Sequence, residues 1–286
     1  MPQHKEGEPE FIAPHLSCDS HFHVFCPAGE YPYGDELRYK PPYAPLDEFL
    51  TFSRGLGFER WVLVQPSAYG RDNACMLDAM ATLPGCRGIV DVHEDAPDAE
   101  LEKLDAAGVC GVRINVKPIK PPESGFAATL LPRILRLDAR CAELGWTLDF
   151  LLPGWLTQEL MPTLRQLKSQ FMLAHMGLFL ARDGVNQQGF QQLLDLLRTG
   201  EGRCWVKLTA LYRMSAAPGF SDAGPMMQAL VETAADRLIW GSDHPHLSFA
   251  DKTSTLELFN FFGRWVPDAD DRHKILVDNP QKLFKF

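Results

Sequence analysis

Near the start of the 286-residue chain, Asp19-Ser20-His21-Phe22-His23 sets an acid and two imidazoles at alternate positions. In a β-strand successive side chains point to opposite faces, so all three are expected on one face, with the imidazoles converging on one point. A lone His is more often a satisfied core or surface residue. A His-x-His pair behind an Asp is harder to dismiss, because it can ligate a metal or present hydrogen-bond donors to a developing oxyanion. The far end of the chain supplies a complement in Gly241-Ser242-Asp243-His244-Pro245-His246, where Asp243 is a candidate general base for a water molecule. Between the two ends lie a third imidazole, His175, and two guanidiniums, Arg113 and Arg213. Arg113 and Asn115, two residues apart, share a strand face, and a planar guanidinium matches a carboxylate bidentately.

Each of these residues also has a structural explanation. Arg113 could pair with a structural carboxylate such as Asp91 or Asp149, since a buried Arg must find a partner. Asp243 could cap a turn ahead of Pro245, and His175 could be core. His244 and His246 cannot both face inward on an extended chain, which favours His246 as a supporting or lid residue. His4, His15, His93 and His273 read as structural or exposed. The weight lies in the combination, because independent placement of three His and one Asp on the ends of three strands would be a rare accident.

Those strand ends follow from the hydrophobic pattern. Apolar runs at 16–24, 61–64, 88–92, 111–116, 146–152, 171–175, 204–208 and 238–241 are short enough for buried strands. They alternate with helical spacing at 46–56, 73–83, 98–107, 129–144, 156–167, 187–197, 225–235 and 252–262, and a last helix is expected within 268–286. About eight strand-then-helix units close a (β/α)8 TIM barrel, whose active site sits at the C-terminal strand ends. There Ser67 and Tyr69 follow the second strand. A doubly wound sheet would announce a Gly-rich turn after its first strand, where this chain has histidines. The chain is expected to form one domain over 1–286, with 1–15 a flexible leader. The stretch from Cys26 to Pro45 is a long loop, and long ordered loops are more often functional than decorative.

Composition narrows the function classes. A net charge of −9 disfavours nucleic acid, which needs clustered Lys and Arg. Seven scattered Cys without a C-x-x-C pair argue for reduced thiols rather than a disulfide framework or zinc finger. No run reaches the roughly 20 apolar residues of a membrane helix, and the N-terminus lacks a signal-peptide core, so a soluble cytoplasmic protein, monomeric or homodimeric, is expected.

Taken together the residues resemble the amidohydrolase superfamily, and within it the 2-pyrone-4,6-dicarboxylate lactonases of aromatic-acid degradation. The likeness runs through Asp19-Ser20-His21-Phe22-His23, Pro41-Pro42-Tyr43, Gln65-Pro66-Ser67, Gly111-Val112-Arg113, Trp205-Val206-Lys207-Leu208-Thr209, Tyr212-Arg213 and Gly241-Ser242-Asp243. It implies that Asp243 activates the hydrolytic water, that His21, His23 and His175 surround the lactone carbonyl, and that Tyr43, Ser67, Arg113 and Arg213 hold the substrate's carboxylates. It further implies that no metal is required, although His21, His23, His175 and Asp243 would hold one divalent ion such as zinc or manganese if one binds. Dinuclear relatives carry a metal-bridging Lys on the fourth strand, where this chain has Arg113 and Asn115 and only Lys117 nearby. Ile119 stands where the lactonase pattern has a second Arg, so either Lys117 or Lys120 meets that carboxylate, as a point charge of looser geometry, or the substrate has fewer or differently placed acidic groups. The expected activity is hydrolysis of 2-pyrone-4,6-dicarboxylate or a close analogue. The alternatives are a metal-dependent non-oxidative decarboxylase of an aromatic or unsaturated acid, and a non-catalytic carboxylate-binding barrel.

Overall fold

The computed structural model describes residues 7–27, 29–35, 37–116 and 125–286. Eight parallel strands pair in sequence order: β1 (Cys18–Phe22), β2 (Arg60–Val64), β3 (Cys86–Val90), β4 (Val109–Asn115), β5 (Thr147–Leu151), β6 (Gln170–Leu173), β7 (Cys204–Leu208) and β8 (Leu238–Trp240). Between and after them run α1 (Leu46–Gly55), α2 (Ala74–Ala81), α3 (Asp98–Ala106), α4 (Phe126–Leu144), α5 (Gly154–Glu159), α6 (Met161–Leu164), α7 (Gln188–Thr199), α8 (Gly224–Ala234), α9 (Thr255–Trp265), α10 (Ala269–His273) and α11 (Asn279–Phe284). This is the expected (β/α)8 TIM barrel.

The barrel closes between β8 and β1 through the segment that carries the chemistry. Asp243 N–H donates to His21 O at 2.8 Å and His23 N–H to His244 O at 2.9 Å, and Phe22 pairs with His244. Gly241 makes this approach possible, since a Cβ there would lie 2.7 Å from both the Cβ and the backbone N of His21. A register shift in β1 between Asp19 and Phe22 breaks the simple alternation. Cys18 therefore joins the core formed with Val62, Val64, Ile89, Met172 and Trp205, while Asp19 accepts backbone N–H groups from Ser242 at 2.9 Å and His21 at 3.2 Å. Asp19, expected on the imidazole face, is a staple between the barrel's two ends.

Leu283 and Phe284 of α11 pack into that same core. A second, larger core lies where the strands meet the surrounding helices, as when Phe22 stacks on Phe49 at 3.9 Å. The helix expected over 156–167 is split into α5 and α6, because Pro162 has no N–H to give an α-helical ladder. The leader expected to be flexible through residue 15 is docked over part of its length: Phe11 stacks on Phe259 at 4.1 Å, and Ala13 N–H donates to Leu56 O at 2.9 Å.

Candidate active site

Four of the expected residues meet at the C-terminal mouth of the barrel. His21 lies in β1 and His23 just beyond it, His175 follows β6, and Asp243 follows β8. All four are almost fully buried. His175 and Asp243 take φ of 53° and 55°, the left-handed region that costs a non-glycine residue of order 1 kcal/mol and concentrates at functional sites.

Asp243 is the hub. Its Oδ1 lies 3.3 Å from His21 Nε2 and 3.5 Å from His23 Nε2. Its Oδ2 accepts the Tyr212 hydroxyl and lies 3.5 Å from Arg213 Nε. Burial alone would raise the carboxyl's pKa, but the surrounding imidazoles and the Arg213 guanidinium outweigh it and hold the group well below the ordinary carboxylate range. The carboxylate is thus ionised, with one oxygen anchored and the other turned to the imidazoles. Burial holds His21 and His175 well below the usual imidazole range and lowers His23 as well, so the rings are neutral.

A neutral imidazole has one donor and one acceptor, and the outward-facing nitrogen decides which remains for the site. His23 Nδ1–H donates to the Val64 carbonyl at 2.7 Å, which leaves a lone pair on Nε2. His21 Nδ1 lies 3.1 Å from Lys207 Nζ; an ammonium can only donate, so Nδ1 accepts and the proton sits on Nε2. That Nε2 is buried and, despite its nearness to Asp243, has no hydrogen bond of good geometry. It is a donor kept for something else. His175 Nδ1 meets Thr209 Oγ1 at 2.6 Å.

Lys207 belongs to a charged layer beneath the mouth. Fully buried on β7, it lies 3.0 Å from Asp149 Oδ1, and Asp149 Oδ2 lies 3.7 Å from Arg113 Nε. Burial lowers the Lys207 pKa and the Asp149 charge opposes that loss. The pairing of Arg113 with Asp149 is one of the structural explanations considered above, and Arg113 meets it while still lining the cavity.

That cavity, of about 490 Å³, is lined by His23, Ser67, Arg113, Asn115, His175 and Arg213 from the expected set, with Asp243 at its floor. Arg38 and Tyr39 from the loop after β1 also reach it, and Arg38 Nη1 donates to Asn115 Oδ1 at 3.1 Å. Among the described residues, three guanidiniums therefore face one carboxylate, a balance that favours an anionic ligand. Tyr43 is not brought here: it is 64% exposed and borders a separate cavity of about 430 Å³ beside Pro42 and His246. Phe25 and Ala44 exchange backbone hydrogen bonds that fix the base of the loop; Tyr43 stands next to that bridge, whereas Arg38 and Tyr39 lie further along the loop from it. Lys117, Ile119 and Lys120 lie outside the described residues. His246 meets Thr255 Oγ1 at 2.9 Å, a supporting role at the start of α9.

Lys207, Thr209, Tyr212, Arg38 and Tyr39 received no role from the sequence. A charged residue inside the apolar run Cys204–Leu208 was a signal for Lys207, and the length of the loop after Cys26 was one for Arg38 and Tyr39. Tyr212 entered only through the Tyr212-Arg213 likeness, with no role attached.

His21, His175 and Asp243 bring three ligand-type atoms within 4.8 Å of one another, a spacing that suits one divalent ion. His23, expected as a fourth ligand, is not part of that triangle. The spacing fits better than the protonation, because a metal needs the lone pair at His21 Nε2 that the Lys207 contact removes.

The amidohydrolase family model matches residues 18–286. The chain is 35% identical to the 4-sulfomuconolactone hydrolase of Hydrogenophaga intermedia, over 99% of this chain and 93% of that protein. It is 31% identical to the 2-pyrone-4,6-dicarboxylate hydrolase of Comamonas testosteroni, over 97% and 93%. A crystal structure from Acinetobacter baumannii, described as a "probable 2-pyrone-4,6-dicarboxylic acid hydrolase" with citric acid bound, superposes with a TM-score of 0.83 at 28% identity, covering 95% of this chain and all of that one.

Proposed function

The chain belongs to the amidohydrolase family, and from that membership and the geometry of the mouth we propose that it hydrolyses small anionic lactones, 2-pyrone-4,6-dicarboxylate or a close analogue. The observation that carries this is one ionised carboxylate, Asp243, facing neutral imidazoles at the floor of a cavity walled by Arg38, Arg113 and Arg213. The relatives named for a sulfonated and a dicarboxylated lactone agree with such a cationic wall.

The protonation pattern divides the work. A water against Asp243 Oδ1 gives that oxygen one proton as its own oxygen attacks the lactone carbonyl carbon. His23, with a lone pair on Nε2, accepts the water's second hydrogen and orients it. His21, with its proton on Nε2, donates to the carbonyl oxygen as negative charge develops there, and His175, whose ring centroid is 5.4 Å from that of His21, flanks the same oxygen. Collapse of the tetrahedral intermediate breaks the ring C–O bond, and the departing oxygen takes the proton back from Asp243. One water is consumed and one ring is opened. His23 thus serves the water rather than the carbonyl, where it was first expected.

No metal is required in this scheme. His21, His175 and Asp243 are the side chains that would hold one and let it polarise the carbonyl, but only with Lys207 or His21 in another protonation state. Decarboxylation gains no specific support from this arrangement.

The test is to incubate purified protein with 2-pyrone-4,6-dicarboxylate and with 4-sulfomuconolactone and to follow loss of their ultraviolet absorbance. Turnover of at least one is expected, with Asp243→Asn abolishing it while ligand binding persists. No turnover of either above buffer, with or without added zinc or manganese, would sink the proposal.

A further inference from the structure

Of the seven cysteines, five place their sulfur beside an oxygen: Cys18 beside the Ser20 hydroxyl, and Cys86, Cys110, Cys141 and Cys204 beside backbone carbonyls. Cys26 and Cys75 instead face each other, Sγ to Sγ at 2.7 Å. A disulfide bond is about 2.0 Å long, so these two sulfurs are already closer to bonded than to ordinary contact. They are 49 residues apart, one at the start of the loop after β1 and the other in α2. Cys26 is part-exposed, which leaves the pair open to small oxidants.

The surroundings hold the two thiols in register. Tyr69 OH accepts the Cys26 N–H at 3.1 Å, and the Tyr31 hydroxyl donates to Asp78 on α2 at 2.6 Å. Gly34 N–H donates to Ala68 O at 2.8 Å, and the Tyr33 and Tyr69 rings lie 5.2 Å apart. The loop is thus docked at several points on the segment that holds Cys75, and it is the loop that brings Arg38 and Tyr39 into the lactone cavity.

We propose that Cys26 and Cys75 form a reversible disulfide that fastens this cavity-lining loop to α2. The two thiols lose two protons and two electrons, one S–S bond forms, and one hydrogen peroxide takes up both to become two waters; a dithiol reductant reverses the step. Burial, and then the neighbouring Cys75 thiol, push the Cys26 pKa up to about 12, so oxidation should quicken as pH rises through the alkaline range.

The full chain is exposed to hydrogen peroxide or oxidised glutathione at neutral and alkaline pH, alkylated in denaturant, digested without reductant and mapped by mass spectrometry. Two of the seven thiols should disappear together, with Tm rising by roughly 5 °C and both changes undone by dithiothreitol. The tryptic fragments 6–38 and 72–87 each carry a second cysteine, Cys18 and Cys86. Single variants therefore assign the bond: after the same treatment Cys26→Ser and Cys75→Ser should each keep all their remaining thiols, whereas Cys18→Ser and Cys86→Ser should still cross-link. Seven alkylatable thiols after oxidation, a bond between another pair, or a glutathione adduct confined to Cys26 would each overturn the proposal. Because thiols are read directly, failure here leaves the lactonase assay untouched, and failure there leaves this bond untouched.

Discussion

Lys207→Met tests the division of labour among the imidazoles most directly. Met is similar in length but carries no charge, so the substitution removes the donor 3.1 Å from His21 Nδ1 and the partner 3.0 Å from Asp149 Oδ1 while leaving little cavity. Two effects should separate. Among the described residues, Asp149, fully buried, would keep only Arg113 Nε, at 3.7 Å, as an ion-pair partner. Breaking one side of a buried pair costs about 3–5 kcal/mol, which for a chain of this size corresponds to a Tm drop of roughly 10 °C. His21 would be free to move its proton to Nδ1, removing the donor at the oxyanion, and loss of such a donor lowers kcat by roughly 100- to 1,000-fold. Differential scanning calorimetry and steady-state kinetics read the two effects. The double variant Lys207→Met/Asp149→Asn removes the Asp149 charge but leaves Arg113 without its carboxylate, so it should recover only part of the Tm and none of the kcat. Since His21 Nε2 could then offer a lone pair beside His175 and Asp243, Lys207→Met should also retain zinc through dialysis that strips the native chain, as read by elemental analysis. A Lys207→Met enzyme within about threefold of native kcat would refute the assignment of the His21 proton to Nε2 and of the oxyanion contact to His21.

Three further outcomes follow from distances already given. Tyr212→Phe removes the hydrogen bond that anchors Asp243 Oδ2 and should lower kcat about 10- to 100-fold with little change in KM, because a hydrogen bond to a charged group is worth about 1.5–3 kcal/mol; an unchanged kcat would show that Asp243 is oriented without it. Tyr43→Phe should leave lactone hydrolysis unaltered, since Tyr43 stands outside the cavity, whereas Arg38→Ala should raise KM about tenfold, the equivalent of about 1.4 kcal/mol; the reverse ranking would mean that the loop closes on substrate in another register. Gly241→Ala should destabilise by about 1–3 kcal/mol and lower activity in parallel, because its Cβ would press on the backbone of His21; calorimetry showing a native Tm would contradict the tight β8–β1 closure.

The sequence by itself determined the barrel. Its short apolar runs and helical stretches alternate with a period that admits few other folds, and burial of a parallel strand on both faces needs no knowledge of distant partners to be recognised. It also determined which side chains would meet, because His21, His23, His175 and Asp243 fall at strand ends and a TIM barrel gathers all such ends at one mouth. Only the tertiary structure decided what each imidazole can do there. The proton on His21 depends on Lys207, 186 residues away, and that on His23 on the Val64 carbonyl, 41 residues away. Neither neighbour is visible in local spacing, since hydrogen bonds between strands follow register rather than chain distance. The register shift in β1 turned Asp19 from the imidazole face to the barrel seam, and the fold of the loop after β1 set Arg38 and Tyr39, not Tyr43, in the cavity beside Asp243. The loop also brought Cys26 against Cys75, a meeting that depends on how it folds back over α2.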